Sequence, residues 1–244
     1  MDLQVQDRNI LQQEFVKLQL FSRDQGMSIN KDKSKVMLLN PGKKHDFLPK
    51  IETDDGSILD VVEEAKLLGI LVRSDMSWKS NTNLLCNKGY SRLWMLRNLA
   101  RLGTDRTDLV DVYHKQCRSV LELAVPAWTP GLTRTEINQL ERVQKTACAI
   151  ILGDEYKSYR SALTILKMET LEKRRVSLSL NFAKKALKDD KFKKWFCMEE
   201  KSEPNIKTRN SKSKQRLKPV TCRKIRYEKS PLPFLTELLN KEAK

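Results

Sequence analysis

The stretch KLLGILVRSDMSWKSNTNLLCNKGYSRLWMLRNLARLG, residues 66–103, decides the fold because its hydrophobic pattern changes halfway along. Residues 66–72 form a short apolar run that predicts a β-strand, in which Gly69 marks a bulge or the close approach of another backbone. After Trp78, apolar residues recur every three or four positions, which is the period of an amphipathic helix. The change predicts an α+β protein in which strands precede a bundle of helices.

Upstream of this stretch, the sequence predicts one long helix and two short strands. Apolar residues between positions 10 and 21 follow helical spacing, and Gly26 is a typical left-handed C-cap. The apolar run at 35–40, closed by a Pro-Gly pair, predicts a strand. A further short strand is predicted at 58–61.

Downstream, capping and spacing predict four more helices and a short terminal one. Thr133 and Glu136 stand three positions apart, the spacing of a capping box in which each side chain bonds the other residue's backbone N–H. The helix that they begin is predicted to end at Gly153. The predicted helices cover residues 105–124, 133–153, 158–168, 171–188 and 234–240.

Four of the predicted helices carry core stripes. In the helix after Trp78 the stripe consists of Leu85, Gly89, Leu93, Leu96 and Ala100, and in the 133–153 helix it consists of Ile137, Leu140, Ala147 and Ile151. In the 105–124 helix, the predicted stripe consists of Leu109, Val112, Tyr113, Gln116, Val120 and Leu123. In the 171–188 helix, the residues predicted to face inward are Leu171, Leu178 and Phe182, and those available outward are Lys173, Arg174, Arg175, Lys184 and Lys185.

The chain is strongly basic, and its charge is concentrated at the end. Its 47 Lys+Arg and 31 Asp+Glu give a formal charge of +16. Residues 184–244 hold 19 basic and 8 acidic residues, a net of +11, whereas residues 1–183 hold 28 and 23, a net of +5. Periodicity disappears from 199 to 227, which predicts a disordered basic segment. The asymmetry favours a polyanionic partner, most often nucleic acid, over a solvated tail without a partner.

The residues that could carry chemistry are scattered. His45 and His114 stand far apart, and the five cysteines form no C-x-x-C, so neither a metal site nor a disulfide framework is predicted. Cys117 lies one helical turn from His114, but packing on the flank of a stripe is the favoured interpretation over a nucleophile. No apolar run approaches the ~20 residues that span a bilayer, and the first residues lack a signal-peptide pattern. We therefore expect an intracellular protein, cytoplasmic or nuclear.

Several segments, taken in order, resemble the C-terminal part of LINE-type, non-LTR retrotransposon reverse transcriptases. GMSINKDKSKVMLL (26–39) resembles the segment after the catalytic hairpin, AKLLGILVRSDMSW (65–78) the primer-grip strands, and NKGYSRLWMLRNLARLG (87–103) the first thumb helix. Residues 113–153 are similar to the next two thumb helices, and 226–240 to C-terminal pieces of jockey-like elements. The resemblance covers nearly the whole chain. It implies a small antiparallel β remnant of a polymerase palm, an α-helical thumb bundle and a disordered basic tail.

The resemblance also implies domain boundaries and nucleic-acid-binding residues. The implied parts are the end of the palm with its primer-grip strands at 1–77, the thumb at 78–198, a basic linker at 199–230 and a short C-terminal helix at 231–244. One lysine would lie near departing pyrophosphate, a Leu-Gly pair would let the backbone approach the primer's 3′ end, and the remaining cations would lie near phosphates. The implied binding residues are Lys33, Lys35, Leu68, Gly69, Lys88, Arg92, Arg97 and Arg101.

The sequence departs from the family pattern in its carboxylates. The catalytic aspartates of the family, which hold Mg²⁺, would precede residue 1. Asp54 and Asp55 precede Gly56 without the aromatic pattern of a catalytic hairpin, so a polar turn is predicted there. We therefore expect no polymerase activity and no cofactor.

The expected partners are RNA, DNA or an RNA–DNA hybrid, without a membrane, and the palm of another copy is a further candidate. Two alternatives stay open: a helical adaptor that holds a protein through its apolar stripes, and a non-functional remnant that does not fold.

Overall fold

The computed structural model describes residues 3–39, 50–196, 217–222 and 225–242. Most of the basic segment predicted to be disordered therefore lies outside the described residues, as do Asn40 of the first predicted strand, His45 and Cys197. The chain divides into two units, Met1–Ser80 and Asn81–Lys244. They are called the N-terminal unit and the helical unit below.

The N-terminal unit contains one long helix and one hairpin. Helix α1 spans Leu3–Asp24, and Gly26 follows it at φ +68°, as the sequence predicts for a left-handed C-cap. Strands β1 (Glu64–Leu67) and β2 (Ile70–Arg73) pair antiparallel, with Glu64 opposite Arg73. The α+β class and the small antiparallel sheet are therefore confirmed.

Three strand predictions in this unit are wrong. Residues 66–72 are not one strand, because Leu68 and Gly69 both have positive φ, 48° and 93°, and turn the chain between β1 and β2. Two successive positive φ values are typical of a tight hairpin turn, so Gly69 marks a turn and not a bulge. In the predicted strand at 35–40, only Val36 pairs, in a single parallel bridge to Val61. A second isolated bridge joins Glu52 and Ile58, so 58–61 also forms bridges and not a strand.

The helical unit is built from helices of very different length. The capping box predicted at Thr133 and Glu136 is confirmed: the Glu136 N–H donates to Thr133 Oγ1 at 3.3 Å, and the Thr133 N–H donates to Glu136 Oε2 at 2.6 Å. In chain order the helices are α2 (Lys79–Arg101), α3 (Arg106–Val112), a π-helical segment (Tyr113–Arg118), α4 (Ser119–Leu121), α5 (Val125–Trp128), α6 (Arg134–Leu152), α7 (Tyr159–Ile165), α8 (Leu171–Lys188), α9 (Asp190–Lys193), α10 (Ile225–Glu228) and α11 (Pro231–Glu242).

The packing of α2 depends on a glycine. Leu85, Leu93 and Leu96 are fully buried on the face that the sequence predicts. Gly89 lies on the same face, where an added Cβ would stand 2.9 Å from Val143 Cγ1 and 3.1 Å from Leu121 Cδ2. Such distances are shorter than normal carbon contacts, so the absence of a side chain lets α2 approach α4 and α6 closely.

The π-helical segment changes which residues face the core. The buried residues are Leu109, Tyr113, Cys117 and Leu121, whereas the predicted Gln116 and Leu123 are exposed. A π turn holds more residues than the 3.6 of an α turn, so positions four apart stay on one face through this segment. The prediction assumed α-helical phase and is wrong from position 116 onward.

A buried polar network joins the middle of the helical unit. Gln144 Oε1 accepts from the Tyr113 hydroxyl at 2.7 Å, and Gln144 Nε2 donates to the Tyr159 hydroxyl at 2.9 Å and to the Glu169 carbonyl at 2.8 Å. The Tyr159 hydroxyl in turn donates to Glu141. Because every bond connects segments far apart in sequence, the network fixes one arrangement of these helices.

Helix α8 buries a different stripe from the predicted one. Leu171, Ser179 and Ala183 are buried, while Phe182, predicted to face inward, is exposed. Arg175, predicted to be available outward, is only 2% exposed. Small side chains at the helix contact allow close approach, which leaves the larger Phe182 on the flank.

The C-terminal helix packs on the end of α8. Leu235 of α11 shares a core with Ala183, Ala186 and Phe196. The side chain of Asn240 makes two hydrogen bonds to the backbone of Leu217. Its Oδ1 accepts from the Leu217 N–H and its Nδ2 donates to the Leu217 carbonyl oxygen, each at 2.9 Å. Helix α11 is therefore part of the helical unit.

Candidate nucleic-acid interface

One flank of α2, beside its buried stripe, carries a continuous row of exposed side chains. Their spacing alternates between four and three residues, which keeps them on one side of the helix. All are exposed, and Trp94 is the most exposed tryptophan, at 67%. This row is called the α2 outer stripe, and it consists of Asn83, Asn87, Tyr90, Trp94, Arg97 and Arg101.

The stripe changes in character along the helix. Polar amides lie near its start, two aromatic rings follow, and two guanidinium groups end it. Arg97 and Arg101 are one turn apart and form no ion pair with any described residue. Exposed rings and unpaired guanidinium groups on one surface can stack on bases and neutralise phosphates.

The four cations predicted on α2 do not lie together. Arg97 and Arg101 lie on the outer stripe, whereas Lys88 and Arg92 lie on the other flank. Lys88 is half-buried, and an Arg92 guanidinium nitrogen donates to the Gln116 carbonyl oxygen at 2.6 Å. This bond holds Arg92 against the π-helical segment.

Tyr90 and Trp94 were not among the residues predicted from the sequence. Their signal was present, because both stand at helical spacing from Arg97 and Arg101 and away from the leucine stripe. An aromatic residue on the polar side of an amphipathic helix is the pattern that identifies them.

The remaining predicted site residues belong to the N-terminal unit. Lys33 is exposed in a turn, where its N–H donates to Asn30 Oδ1 at 3.1 Å. Lys35 forms an ion pair with Asp60 at 2.5 Å. Leu68 and Gly69 form the hairpin tip, and Leu68 is 91% exposed. The tip therefore presents backbone and one apolar side chain to solvent.

Asp54 and Asp55 lie in a turn, as the sequence predicts, and both are paired with cations. Arg23 binds Asp54, and Lys31 Nζ lies 2.7 Å from Asp55. Hydrogen bonds from Lys31, and further ones from Thr53, hold the pKa of Asp55 well below its usual range. Within the described ranges, no group of three His, Cys, Asp or Glu residues is arranged to hold a metal ion.

Cys117 is buried and lacks the surroundings of a reactive thiol. Burial raises its pKa to about 11, so the thiol stays protonated near neutral pH. The pKa of His114 is lowered by burial and, to a lesser degree, by nearby Arg118. The pair therefore consists of a neutral thiol and a weakened base.

The basic residues of α8 are largely engaged. Arg174 binds Glu122, Lys173 binds Glu169 at 2.6 Å, and Lys184 binds Glu242. These side chains contribute less free positive charge than the sequence suggests.

Comparison with protein-family models, with curated proteins and with solved structures gives no match for this chain. In the part of the chain that the structure describes, no helix is long and apolar enough to cross a membrane.

Proposed function

We propose that this chain is a nucleic-acid-binding module that holds RNA–DNA or RNA duplex without reading its sequence, related to the end of the palm and the thumb of a LINE-type reverse transcriptase. The observation that carries the proposal is the α2 outer stripe. Its unpaired Arg97 and Arg101 supply charge for phosphates, and its exposed Tyr90 and Trp94 supply flat apolar surface.

The formal charge of +16 supports a polyanionic ligand. Neutralising phosphates releases counterions, so affinity for such a ligand falls steeply as salt rises. The stripe contains no carboxylate, so no like-charge repulsion opposes a phosphate backbone along it.

The same proposal includes no polymerase chemistry. Two-metal phosphoryl transfer needs carboxylates that are free to bind divalent ions. Asp54 and Asp55, the adjacent pair that precedes Gly56, bind Arg23 and Lys31 instead. Incorporation of nucleotides by the purified chain with Mg²⁺ would contradict this part of the proposal.

The test is binding of a labelled RNA–DNA hybrid to the full chain across a salt series, with circular dichroism on the same samples. We expect R97Q/R101Q to weaken binding at least tenfold near 0.1 M salt and to reduce the slope of log K against log salt by about 2, since each phosphate contact contributes about 0.9. Trp94→Ala should weaken binding without changing the slope, because stacking releases no counterions.

The matched control is R142Q/R160Q, which removes two exposed guanidinium groups from α6 and α7 without touching the stripe. It should weaken binding less than threefold. Equal losses in the two double variants would mean that net charge, and not the α2 outer stripe, determines binding.

A protein-binding adaptor is the second candidate, and α1 favours it. Ile10, Leu18 and Phe21 are each more than half exposed on this helix. An apolar row of this kind suits a protein partner, including the palm of another copy. Capture of a protein by α1 that persists at high salt, together with absent nucleic-acid binding, would replace the first proposal with this one.

A further inference from the structure

Two phenylalanines hold the short helix α9 against the core of the helical unit. Phe196 is buried in the same core as Ala183 and Leu235, and Phe192 packs against that core. The two rings stand four positions apart, so they lie on one side of the segment. The other side of the segment therefore faces solvent.

The solvent side of this segment carries an indole ring beside two lysines. Trp195 is 46% exposed, and its ring packs edge-on against Phe192 with the ring centroids 4.8 Å apart. Lys191 and Lys194 are both exposed, and Lys194 keeps the backbone angles of a right-handed helix. Because Lys191 stands three positions before Lys194 and four before Trp195, the three side chains lie on one side. They are called the α9 patch.

The α9 patch offers positive charge that no described residue neutralises. Neither Lys191 nor Lys194 forms an ion pair with a residue that the structure describes. Two carboxylates lie in the same segment: Asp190, and Asp189, which accepts from the Lys191 backbone N–H at 2.9 Å. Residues 188–194 contain four lysines against these two aspartates, a net of +2. The patch therefore suits an anionic partner.

A single exposed ring beside two lysines fits nucleic acid better than a lipid surface. A helix that lies on a membrane turns a broad apolar face to the lipid, whereas Phe192 and Phe196 pack on the protein core. A base presents one flat face, which one indole ring can cover. Bases in a duplex are already stacked on each other, so an unpaired base is the one that the Trp195 ring can reach.

We propose that the α9 patch is a second nucleic-acid site, which binds a single strand of RNA or DNA. Trp195 stacks on an unpaired base, and Lys191 and Lys194 bind the phosphates beside it. The inference rests on the proposed function in taking nucleic acid as the ligand. It uses no residue of the α2 outer stripe, and it assigns the α9 patch an unpaired strand instead of a duplex.

Tryptophan emission of the full chain gives the test. Of the four tryptophans, Trp78 and Trp128 are buried. The Trp94→Phe variant therefore keeps Trp195 as its exposed tryptophan, and its emission reports on the α9 patch. The probe is a single strand of about twelve deoxythymidines, a length within the range that single-strand-binding modules cover. Stacking should quench the emission saturably, and W94F/W195F should lose this quenching.

The lysines are tested in the same Trp94→Phe background. K191Q/K194Q should weaken binding of the single strand at least fivefold near 0.1 M salt and lower the slope of log K against log salt by about 1.4, since each phosphate contact of a single strand contributes about 0.7. K157Q/K167Q removes two exposed lysines elsewhere in the helical unit, and thus the same net charge. This control should weaken binding less than twofold, and equal losses in the two double variants would overturn the proposal.

Two further ligands test the assignment to an unpaired strand. A blunt duplex of the same length should quench Trp195 at least tenfold less well, and equal quenching would overturn the assignment. Vesicles that contain phosphatidylserine should leave the emission unchanged. A blue-shifted emission on these vesicles, without quenching by the single strand, would assign the α9 patch to a lipid surface instead.

The α2 outer stripe serves as the last comparison. R97Q/R101Q should change the midpoint of Trp195 quenching by the single strand less than twofold, although it weakens duplex binding. Loss of Trp195 quenching in R97Q/R101Q would mean that the α9 patch is not a separate site. Absent quenching of Trp195 together with intact, salt-dependent duplex binding would overturn this inference and leave the duplex proposal in place.

Discussion

The two units of this chain use their apolar residues in opposite ways. Among its described residues, the N-terminal unit buries five apolar side chains, of which Val36, Ile51 and Leu59 form one small core. On α1, large apolar residues such as Ile10 and Phe21 are more than half exposed. In the helical unit, by contrast, many large apolar side chains are buried, and several, such as Leu85 and Trp128, are fully buried.

Polar groups differ in the same way. The ion pairs of the N-terminal unit, such as Lys31–Asp55, are exposed, and exposed pairs contribute little to stability. In the helical unit, Gln144 and Tyr113 are buried and bonded to each other. Tertiary specificity therefore resides in the helical unit, whereas the N-terminal unit is held mainly by exposed polar bonds and one small core.

The largest expected effect appears when the two units are produced as separate fragments. We expect residues 79–244, which keep α2 whole, to fold alone with a cooperative thermal transition. We expect residues 1–80 alone to show little cooperative structure, because so small a core cannot offset the conformational entropy of an 80-residue chain. Circular dichroism and thermal melting of the two fragments measure this. A cooperative melt of residues 1–80 would remove the contrast between the units.

The second prediction compares two glutamines that each bridge distant segments. Gln144→Ala leaves the buried Tyr113 hydroxyl without its partner and should cost about 3 kcal/mol. Gln12 bonds both the N–H and the carbonyl of Glu52 at 2.9 Å, but in an exposed setting where water replaces it. Gln12→Ala should therefore cost less than about 1 kcal/mol.

Hydrogen exchange read by mass spectrometry measures each effect locally, in α6 for Gln144→Ala and in α1 for Gln12→Ala. Gln116→Ala, which changes an exposed side chain of the helical unit, is the control and should leave exchange unchanged. Equal increases in exchange for the two variants would contradict the idea that burial determines how much each of these hydrogen bonds contributes to stability.

The sequence predicts best what depends on neighbouring residues. Thr133 and Glu136 contain the whole capping box, and Leu85 with Leu93 defines the buried face of α2, so these features are found without a structure. The hairpin turn at Leu68 was missed because apolar residues stand on both sides of Gly69, which was interpreted as a bulge or a close backbone approach within one strand.

Features that depend on distant residues could not be predicted. The π-helical segment shifts the core to Cys117, and no local pattern marks such a shift. Arg175 is buried only because other helices cover α8. At the candidate site, Arg97 and Arg101 could be assigned to an exposed flank. The bond of Arg92 to the Gln116 carbonyl requires knowledge of how two helices pack.

The third prediction is alkaline destabilisation confined to the helical unit. All five cysteines follow residue 80, and burial raises the pKa of Cys86 and Cys117 to about 11 and that of Cys148 to about 12. Below pH 9, the folded and the unfolded chain both keep these thiol protons, so the thiols do not lower the free energy of unfolding. As the pH rises from 9 toward 11, the unfolded chain loses protons that the folded chain retains, so stability falls by about 1 kcal/mol per thiol at pH 10.

Urea unfolding at pH 8 and pH 10 measures this fall, and the 79–244 fragment should show the same loss as the full chain. Cys148→Ala should reduce the loss by about one third, since the three buried thiols contribute similarly. Cys222, which is partly exposed, gives the matched control, because Cys222→Ala should leave the pH dependence unchanged. A loss that appears in the full chain but not in the fragment would mean that titrating groups of the N-terminal unit cause it. That result would contradict the assignment of buried, pH-sensitive packing to the helical unit alone.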